Sequence, residues 1–211
     1  LNEDGTKLSK RNLDSISLKQ FRKSGYTVNS ILSYLYSLGL NSDYDFETIL
    51  ENNFRDFNLE DISKNLPKID INKIDFFQKN SLRSMNLKGL NNEFPQLKEL
   101  AITDAEWELI KENVEKYEDI RNLWNIINRR EITTQPSDDF IKLVIENLNK
   151  ISNLNFDEYV NYLLSVDNTL SKKEIFTNTR YIFTGNQNGP SVKDLYNYFG
   201  HDGLKKILND Y

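Results

Sequence analysis

Residues 6–12, TKLSKRN, place three cations around one serine near the start of the chain. Lys7, Lys10 and Arg11 supply positive charge, and Ser9 supplies a hydroxyl group. Basic side chains on a loop that also presents backbone amides can bind phosphate oxygens. Phosphoryl and nucleotidyl transfer concentrate negative charge on those oxygens in the transition state, so the segment is a candidate catalytic loop. Short basic segments are also typical of solvated surfaces, and the residue types alone leave both interpretations open.

The composition is that of a folded protein, and it is compatible with a reducing compartment. The chain has 211 residues, a net charge of -5, and twelve Phe and eleven Tyr, which is enough aromatic content to build a core. It has no cysteine, which excludes disulfides and thiolate zinc sites. The sequence has neither a leading signal peptide nor an apolar run as long as a membrane span, so we expect a cytoplasmic protein. Because Leu1 is not an initiator methionine, we also expect a piece of something longer.

The elements that would position such a loop are predicted to be helices. Apolar residues recur at helical spacing along almost the whole chain, in about ten to twelve segments. Helix starts are predicted where a capping side chain precedes a Glu or Gln by three residues, at Ser17, Thr103, Asn155 and Ser171. Asp70 is a further predicted cap. In residues 28–40, VNSILSYLYSLGL, the apolar positions Ile31, Leu32, Leu35 and Leu38 share one face. We expect this face, like the other apolar stripes, to be buried in a core.

Charge is unevenly distributed along the chain. Residues 1–25 carry six Lys and Arg against three acids, whereas residues 41–61 carry one Arg against seven acids. A protein that presents one face to a polyanion has this pattern. Ordinary solvated helix faces have it too, and charge by itself favours that second interpretation.

Four segments resemble a known family in the same order along the chain. DGTKLSKR resembles the second signature loop of class I aminoacyl-tRNA synthetases, in the form found in bacterial-type glutamyl-tRNA synthetases. The runs SISLKQFRKSGYTVNSILSYLYSLGL, FRDFNLEDISKNLPKIDINKIDFFQKNSLRSM and RYIFTGNQNGPSVKDLYNYFGHDGLKKIL resemble later blocks of that family. Residues 88–150 match it only loosely. The resemblance implies an all-α, elongated chain from the C-terminal half of such an enzyme.

Through this resemblance, the chain divides into three parts. Residues 1–83 correspond to the signature loop and stem-contact region, and residues 84–138 and 139–211 to two helical-bundle anticodon-binding subdomains. The family joins glutamate to tRNA(Glu) through a glutamyl-adenylate, using ATP and Mg²⁺. The resemblance assigns ATP binding to Lys7, Ser9, Lys10 and Arg11, with Lys7 and Lys10 as the catalytic pair. It assigns no metal ligand to this chain.

The resemblance also suggests residues that contact tRNA. Lys116 lies near a position where the family can carry a base-reading arginine, although lysine lacks the planar guanidinium group. The other candidates are basic residues of the same region and two residues of the C-terminal motif: Arg121, Arg129, Arg130, Arg180 and Thr184. We expect a monomer that binds tRNA(Glu), with tRNA(Gln) as a second candidate. The lone histidine, His201, is given no role.

Two functions remain open at this level. The chain is either the tRNA-binding part of a glutamate–tRNA ligase or a free-standing helical RNA-binding or scaffold protein derived from one. The first signature motif of the family and its nucleotide-binding fold are not found in this sequence. We therefore expect the chain alone to bind tRNA without charging it. The helical pattern argues against the glutaminyl and the eukaryotic and archaeal glutamyl enzymes, whose anticodon-binding regions are β-rich.

Overall fold

A computed structural model describes residues 17–38, 40, 46–51, 59–62, 64, 66–209 and 211. Within these residues no strand occurs; there is one isolated bridge, between Leu40 and Ile62. The predicted all-α class is confirmed. The α-helices in the described part of the chain are α1 Leu18–Lys23, α2 Val28–Ser37, α3 Phe46–Glu51, α4 Ile71–Ser84, α5 Leu87–Glu93, α6 Asp104–Ile110, α7 Tyr117–Asn128, α8 Asp138–Glu146, α9 Leu148–Ile151, α10 Phe156–Val166, α11 Lys172–Thr184 and α12 Val192–Leu208.

The helices begin where the capping pattern predicts. At Ser17, Asp70, Thr103, Asn155 and Ser171 the side chain accepts a hydrogen bond from the backbone N–H three residues on. At the last three of these positions a glutamate three residues on bonds back to the cap, which completes a capping box. Each such side chain satisfies amide groups that the helix itself leaves without a partner.

The chain forms two compact units. Unit 1 consists of residues 1–101 and 114–120, and unit 2 consists of residues 102–113 and 121–211. The first turn of α7 therefore belongs to unit 1 and the rest of that helix to unit 2. The three functional regions predicted from the sequence stay a prediction. No described helix is both long enough and apolar enough to cross a bilayer.

In unit 1, α2 packs against α4, and small hydroxyl side chains are among the buried residues of α2. The face of α2 that is buried carries Ser30, Ser33 and Ser37 beside the tyrosines Tyr34 and Tyr36. Thr27, the cap of α2, exchanges a hydrogen bond with Ser81 of α4 (2.7 Å between the hydroxyl oxygens). Tyr34 and Tyr36 also belong to one buried apolar cluster with Ile74 and Phe77 of α4.

The predicted buried face of α2 is only partly buried: Ile31 and Leu38 are half-buried, and Leu38 packs against the core, but the other two residues are exposed. Leu32 and Leu35 are 43% and 51% exposed, and Val28 one turn earlier is 58% exposed. Together with Leu18, Phe94 and other residues they line an open cavity of about 690 Å³. The apolar spacing correctly identified a helix but not which of its residues are buried, because the tyrosines and serines of α2 fill the buried positions. On α4, by contrast, the apolar residues Ile74, Phe77 and Leu82 are buried, as expected for the other apolar stripes of the sequence.

Unit 2 has a core built from aromatic residues of α10, α11 and α12. Phe156 and Tyr159 of α10 lie against Tyr196 of α12, with ring centroids 5.6 and 4.9 Å apart. The hydroxyl group of Tyr159 is buried and lies 3.1 Å from the hydroxyl of Thr179 in α11. Burial raises the pKa of Tyr159, while the bond to Thr179 opposes that shift. This core fixes one side of α11, whose other side lines the cavity described next.

Candidate nucleic-acid interface

The predicted ATP-binding residues Lys7, Ser9, Lys10 and Arg11 lie outside the described residues. Their roles remain a prediction. Among the described residues, no group of three or more His, Asp or Glu side chains is placed to hold a metal ion. The predicted tRNA-contacting residues all lie within the described part of the chain, and their surroundings are given next.

Lys116 is exposed and belongs to unit 1. Its Nζ lies 3.7 Å from Oδ2 of Asp75, whose other oxygen accepts a hydrogen bond from the hydroxyl of Tyr26. Its backbone N–H donates to Asp119 (2.8 Å). An exposed ion pair of this kind contributes at most about 1 kcal/mol, so an anion in solution can compete for the lysine. Burial, followed by the bond to Asp75, raises the pKa of Tyr26.

Gly25 places the segment that carries Lys116. It has a φ of 74°, and a Cβ atom there would lie 2.3 Å from Cβ of Tyr117. Gln78 holds the same turn from α4, donating to Gly25 O (3.0 Å) and accepting from Thr27 N (2.9 Å). Only glycine permits this close approach without displacement of Tyr117, so the turn between α1 and α2 sets the position of Lys116.

The three predicted arginines of the α7 region lie in unit 2 and differ in their surroundings. Arg121 is exposed. The guanidinium carbon of Arg129, also exposed, lies 5.8 Å from the ring centroid of Trp124. Arg130 has a left-handed φ of 41°, donates to the hydroxyl of Tyr211 (3.3 Å) and lies over that ring at 5.6 Å.

Arg180 and Thr184 hold the loop between α11 and α12 in place. Nη1 of Arg180 donates to the carbonyls of Gly189 (3.0 Å) and Pro190 (2.7 Å). The hydroxyl of Thr184 donates to Arg180 O (2.8 Å) and accepts from Asn186 N (3.1 Å). Burial lowers the pKa of the Arg180 guanidinium from its ordinary value. The structure thus gives both residues partners inside the protein, and it uses their polar atoms to shape a loop.

Gly185 connects this loop to the segment after α7. It ends α11 in the left-handed conformation, with φ 64° and ψ 17°. Its carbonyl accepts hydrogen bonds from the amides of Thr133 (2.9 Å) and Thr134 (3.0 Å). A Cβ atom at Gly185 would lie 2.9 Å from Cα of Ile132. The segment that follows Arg129 and Arg130 is therefore tied to the loop that Arg180 shapes.

Beside this loop, the first turns of α11 and the start of α12 enclose an open cavity of about 400 Å³. It is lined by Lys172, Lys173, Phe176, Thr177, Arg180 and Val192. Three of these six residues are basic and none is acidic. Phe176 is 40% exposed, and its ring meets Phe156 edge-on at 5.0 Å, so the core supports an aromatic surface inside the cavity. Cations and an accessible ring are the groups that bind the phosphates and bases of single-stranded nucleic acid.

Glu174 is the acidic residue nearest to this cavity in sequence, and it is engaged elsewhere. Its carboxylate accepts from the hydroxyl (2.6 Å) and the amide (2.8 Å) of Ser171. The hydroxyl hydrogen bond, with the amide bond second, lowers the pKa of Glu174. The capping box thus turns the negative charge towards the helix start.

Only one of the six lining residues, Arg180, was predicted from the sequence. The residues missed are Lys172, Lys173, Phe176, Thr177 and Val192. One signal was present: two lysines occupy the first turn of α11, where the helix dipole disfavours cations. Residues that oppose the dipole at an exposed helix start indicate another reason for their presence, such as an anionic ligand.

Similarity to known proteins covers nearly the whole chain. No family model matches it. It is 32% identical over 205 residues to glutamate–tRNA ligase 2 of Campylobacter jejuni subsp. doylei, a match that covers 94% of this chain and 44% of that protein. It is 30% identical over 213 residues to glutamate–tRNA ligase 1 of Campylobacter fetus, covering 99% of this chain and 46% of that protein.

A solved structure supports the fold. The crystal structure of a glutamate tRNA ligase from Elizabethkingia meningosepticum, in complex with its amino acid, aligns with a TM-score of 0.69 at 20% identity. That alignment covers 97% of this chain and 48% of the other. The chain spans about half the length of the proteins it matches. The resemblance seen in the sequence motifs is confirmed: nearly the whole chain is similar to a portion of glutamate–tRNA ligases.

Proposed function

We propose that this chain is the C-terminal, tRNA-binding portion of a glutamate–tRNA ligase, and that the α11 cavity receives unpaired nucleotides of tRNA(Glu). The observation that carries the proposal is the charge of that cavity. Three cations and no carboxylate line it, on a chain whose net charge is -5. A local excess of positive charge on an acidic protein supports a polyanionic ligand bound at one place.

The residues of the cavity divide the work of binding. Lys172 and Lys173 are exposed and free to follow phosphate oxygens, and Phe176 offers a ring for base stacking. Arg180 is a positioning residue, because its hydrogen bonds to Gly189 O and Pro190 O fix the loop at the edge of the cavity. Thr184 supports the same loop, so both predicted residues contribute through loop geometry.

The other predicted contacts fit the same function less directly. Lys116 is shared between Asp75 and an external anion, and it lies in unit 1. Arg121 has an exposed side chain on α7 and serves as a general phosphate contact. These residues add electrostatic affinity without reading sequence.

The whole enzyme joins glutamate to tRNA, using ATP and Mg²⁺, and this activity requires a portion of the protein beyond the present chain. Lys7 and Lys10 then stabilise the phosphate charge of ATP, with Ser9 and Arg11 beside them. The isolated chain is expected to show no ATP–pyrophosphate exchange. The proposal also includes tRNA(Gln) as a second candidate partner, a monomeric state and a cytoplasmic location.

The test is binding of tRNA(Glu) to the full chain across a range of salt concentrations. Replacing Lys172 and Lys173 together by alanine should reduce the slope of log affinity against log salt by about 1.4, since each lost phosphate contact contributes about 0.7 on a single strand. A matched control replaces the exposed lysines Lys142 and Lys150 of unit 2, which lie outside the cavity. Equal slopes for the two double variants contradict the assignment of the cavity.

A further inference from the structure

The end of α7 holds two consecutive arginines against two different aromatic rings. Arg129 lies over Trp124, five residues earlier in the sequence, and Arg130 lies over Tyr211. Arg130 adopts a left-handed backbone conformation that costs about 1 kcal/mol for a residue with a Cβ atom.

The Arg129–Trp124 pair has one side towards the protein and one side towards solvent. Trp124 is half-buried, and its Nε1 is a buried atom without a hydrogen-bond partner in the described structure. The indole nitrogen is therefore turned inwards, and the accessible part of the side chain is ring. Arg129 is exposed, and within the described residues no carboxylate pairs with it.

Helix electrostatics explain the charge of Arg129 but not its contact. A cation just past the C-terminus of a helix interacts favourably with the helix dipole, whatever lies beneath it. Lysine satisfies that requirement equally well. A planar guanidinium group held against an aromatic ring differs from lysine, because its outer surface is a flat, weakly hydrated platform. Nucleobases stack on such platforms.

We propose that Arg129 and Trp124 form a stacking site for an unpaired nucleobase, in which the base lies on the solvent side of the arginine. This inference rests on the proposed function, because it assumes that the chain binds RNA. It adds a second site on unit 2, built from α7 and distinct in its residues from the α11 cavity. The ligand class is a single-stranded ribonucleotide, recognised through its π-face rather than its phosphate.

Tryptophan fluorescence tests this site directly. The chain has two tryptophans, and Trp107 is fully buried, so ligand-induced quenching reports on Trp124. We expect an RNA hairpin with an unpaired loop to quench the fluorescence of the full chain, and the quenching to disappear in Trp124→Phe. A fully paired RNA duplex of equal length should quench much less, because its bases are not available to stack.

Substitutions at Arg129 separate stacking from charge. Arg129→Ala and Arg129→Lys should each weaken hairpin binding about tenfold, the size expected for the loss of one stacked base. Arg121→Ala, the matched control on the same helix, removes an equal charge without an aromatic partner and should weaken binding about twofold, as for one general phosphate contact. Full retention of affinity in Arg129→Lys would overturn the proposal, since it would show a phosphate contact.

The two proposals fail in different ways. Hairpin binding without any change in Trp124 fluorescence refutes the stacking site and leaves the proposed function intact. Absence of hairpin and tRNA binding by the wild-type chain refutes the proposed function, and the stacking site with it.

Discussion

One consequence of the α2 packing concerns two serines that the sequence alone does not distinguish. Ser30 and Ser33 lie on the same helix and are both fully buried. The hydroxyl of Ser30 donates to Thr27 O (2.8 Å), whereas the hydroxyl of Ser33 is buried without a hydrogen-bond partner in the described structure. The same substitution, serine to alanine, should therefore change the free energy of unfolding in opposite directions at the two positions.

The expected magnitudes follow from the hydrogen bonds. Ser33→Ala removes a desolvated, unpaired hydroxyl and should stabilise unit 1 by about 1 kcal/mol. Ser30→Ala loses one intrahelical hydrogen bond, which costs about 1 kcal/mol, while Thr27 O keeps its bond from Ile31 N. Alanine is a better helix former than serine, and that gain is common to both variants, so it cancels in their comparison. The two variants should differ by about 2 kcal/mol.

Urea unfolding followed by far-UV circular dichroism measures this difference. Tryptophan fluorescence does not, because Trp107 and Trp124 both belong to unit 2. With a slope of about 2 kcal/mol per molar urea, the midpoints of the two variants should lie about 1 M apart. Equal midpoints, or a less stable Ser33→Ala, would refute the reasoning about the unpaired hydroxyl. A destabilised Ser33→Leu beside a tolerated Leu32→Ser would further establish which face of α2 is buried.

Two further predictions concern the segments that position the proposed binding residues. Gly25→Ala should destabilise unit 1 by about 3 kcal/mol, because of the left-handed φ and the clash with Cβ of Tyr117. When combined with Gly25→Ala and measured by urea unfolding, Tyr117→Gly should relieve the steric part of this cost, whereas Tyr117→Ala should not. Relief by both would contradict a clash at the Tyr117 Cβ atom. Ser171→Ala should raise the pKa of Glu174 towards its ordinary value, as measured by NMR titration of the carboxyl group, because the hydroxyl that lowers it is gone. In the wild type, the lowered pKa of Glu174 means that its contribution to the stability of α11 is fully present above the ordinary glutamate pKa. That contribution is lost as the pH falls through the lowered value. An unchanged pKa in the variant would contradict this account.

The candidate site shows that a basic residue near a cavity can be bonded within the protein rather than exposed to a ligand. Arg180 lies in a motif that resembles a family block, and its charge suggested an RNA contact. The structure gives its Nη1 two carbonyl partners in the loop between α11 and α12, so its hydrogen bonds there shape the protein itself. Lys172 and Lys173 lie outside any recognised motif, yet they line the cavity with exposed side chains.

Local rules explain what was predictable. A cap and its glutamate lie three residues apart, so Thr103 and Glu106 contain all the information needed to start α6. The family resemblance is equally a property of the sequence, since it needs only the order of the motifs. The helical class, most helix starts and the relationship to glutamate–tRNA ligases are therefore determined by the sequence alone.

The tertiary structure decided in which direction each side chain faces and which partners it contacts. Leu32 is exposed while Ser30 and Ser33 are buried, because α2 packs against α4, a helix that begins far along the chain at Ile71. Lys116 is placed by a glycine and an aspartate that are distant in sequence. Periodicity fixes which residues share a face, but the free energy of burying that face depends on the shape and hydrogen-bonding groups of the opposing surface, and only the assembled fold supplies these.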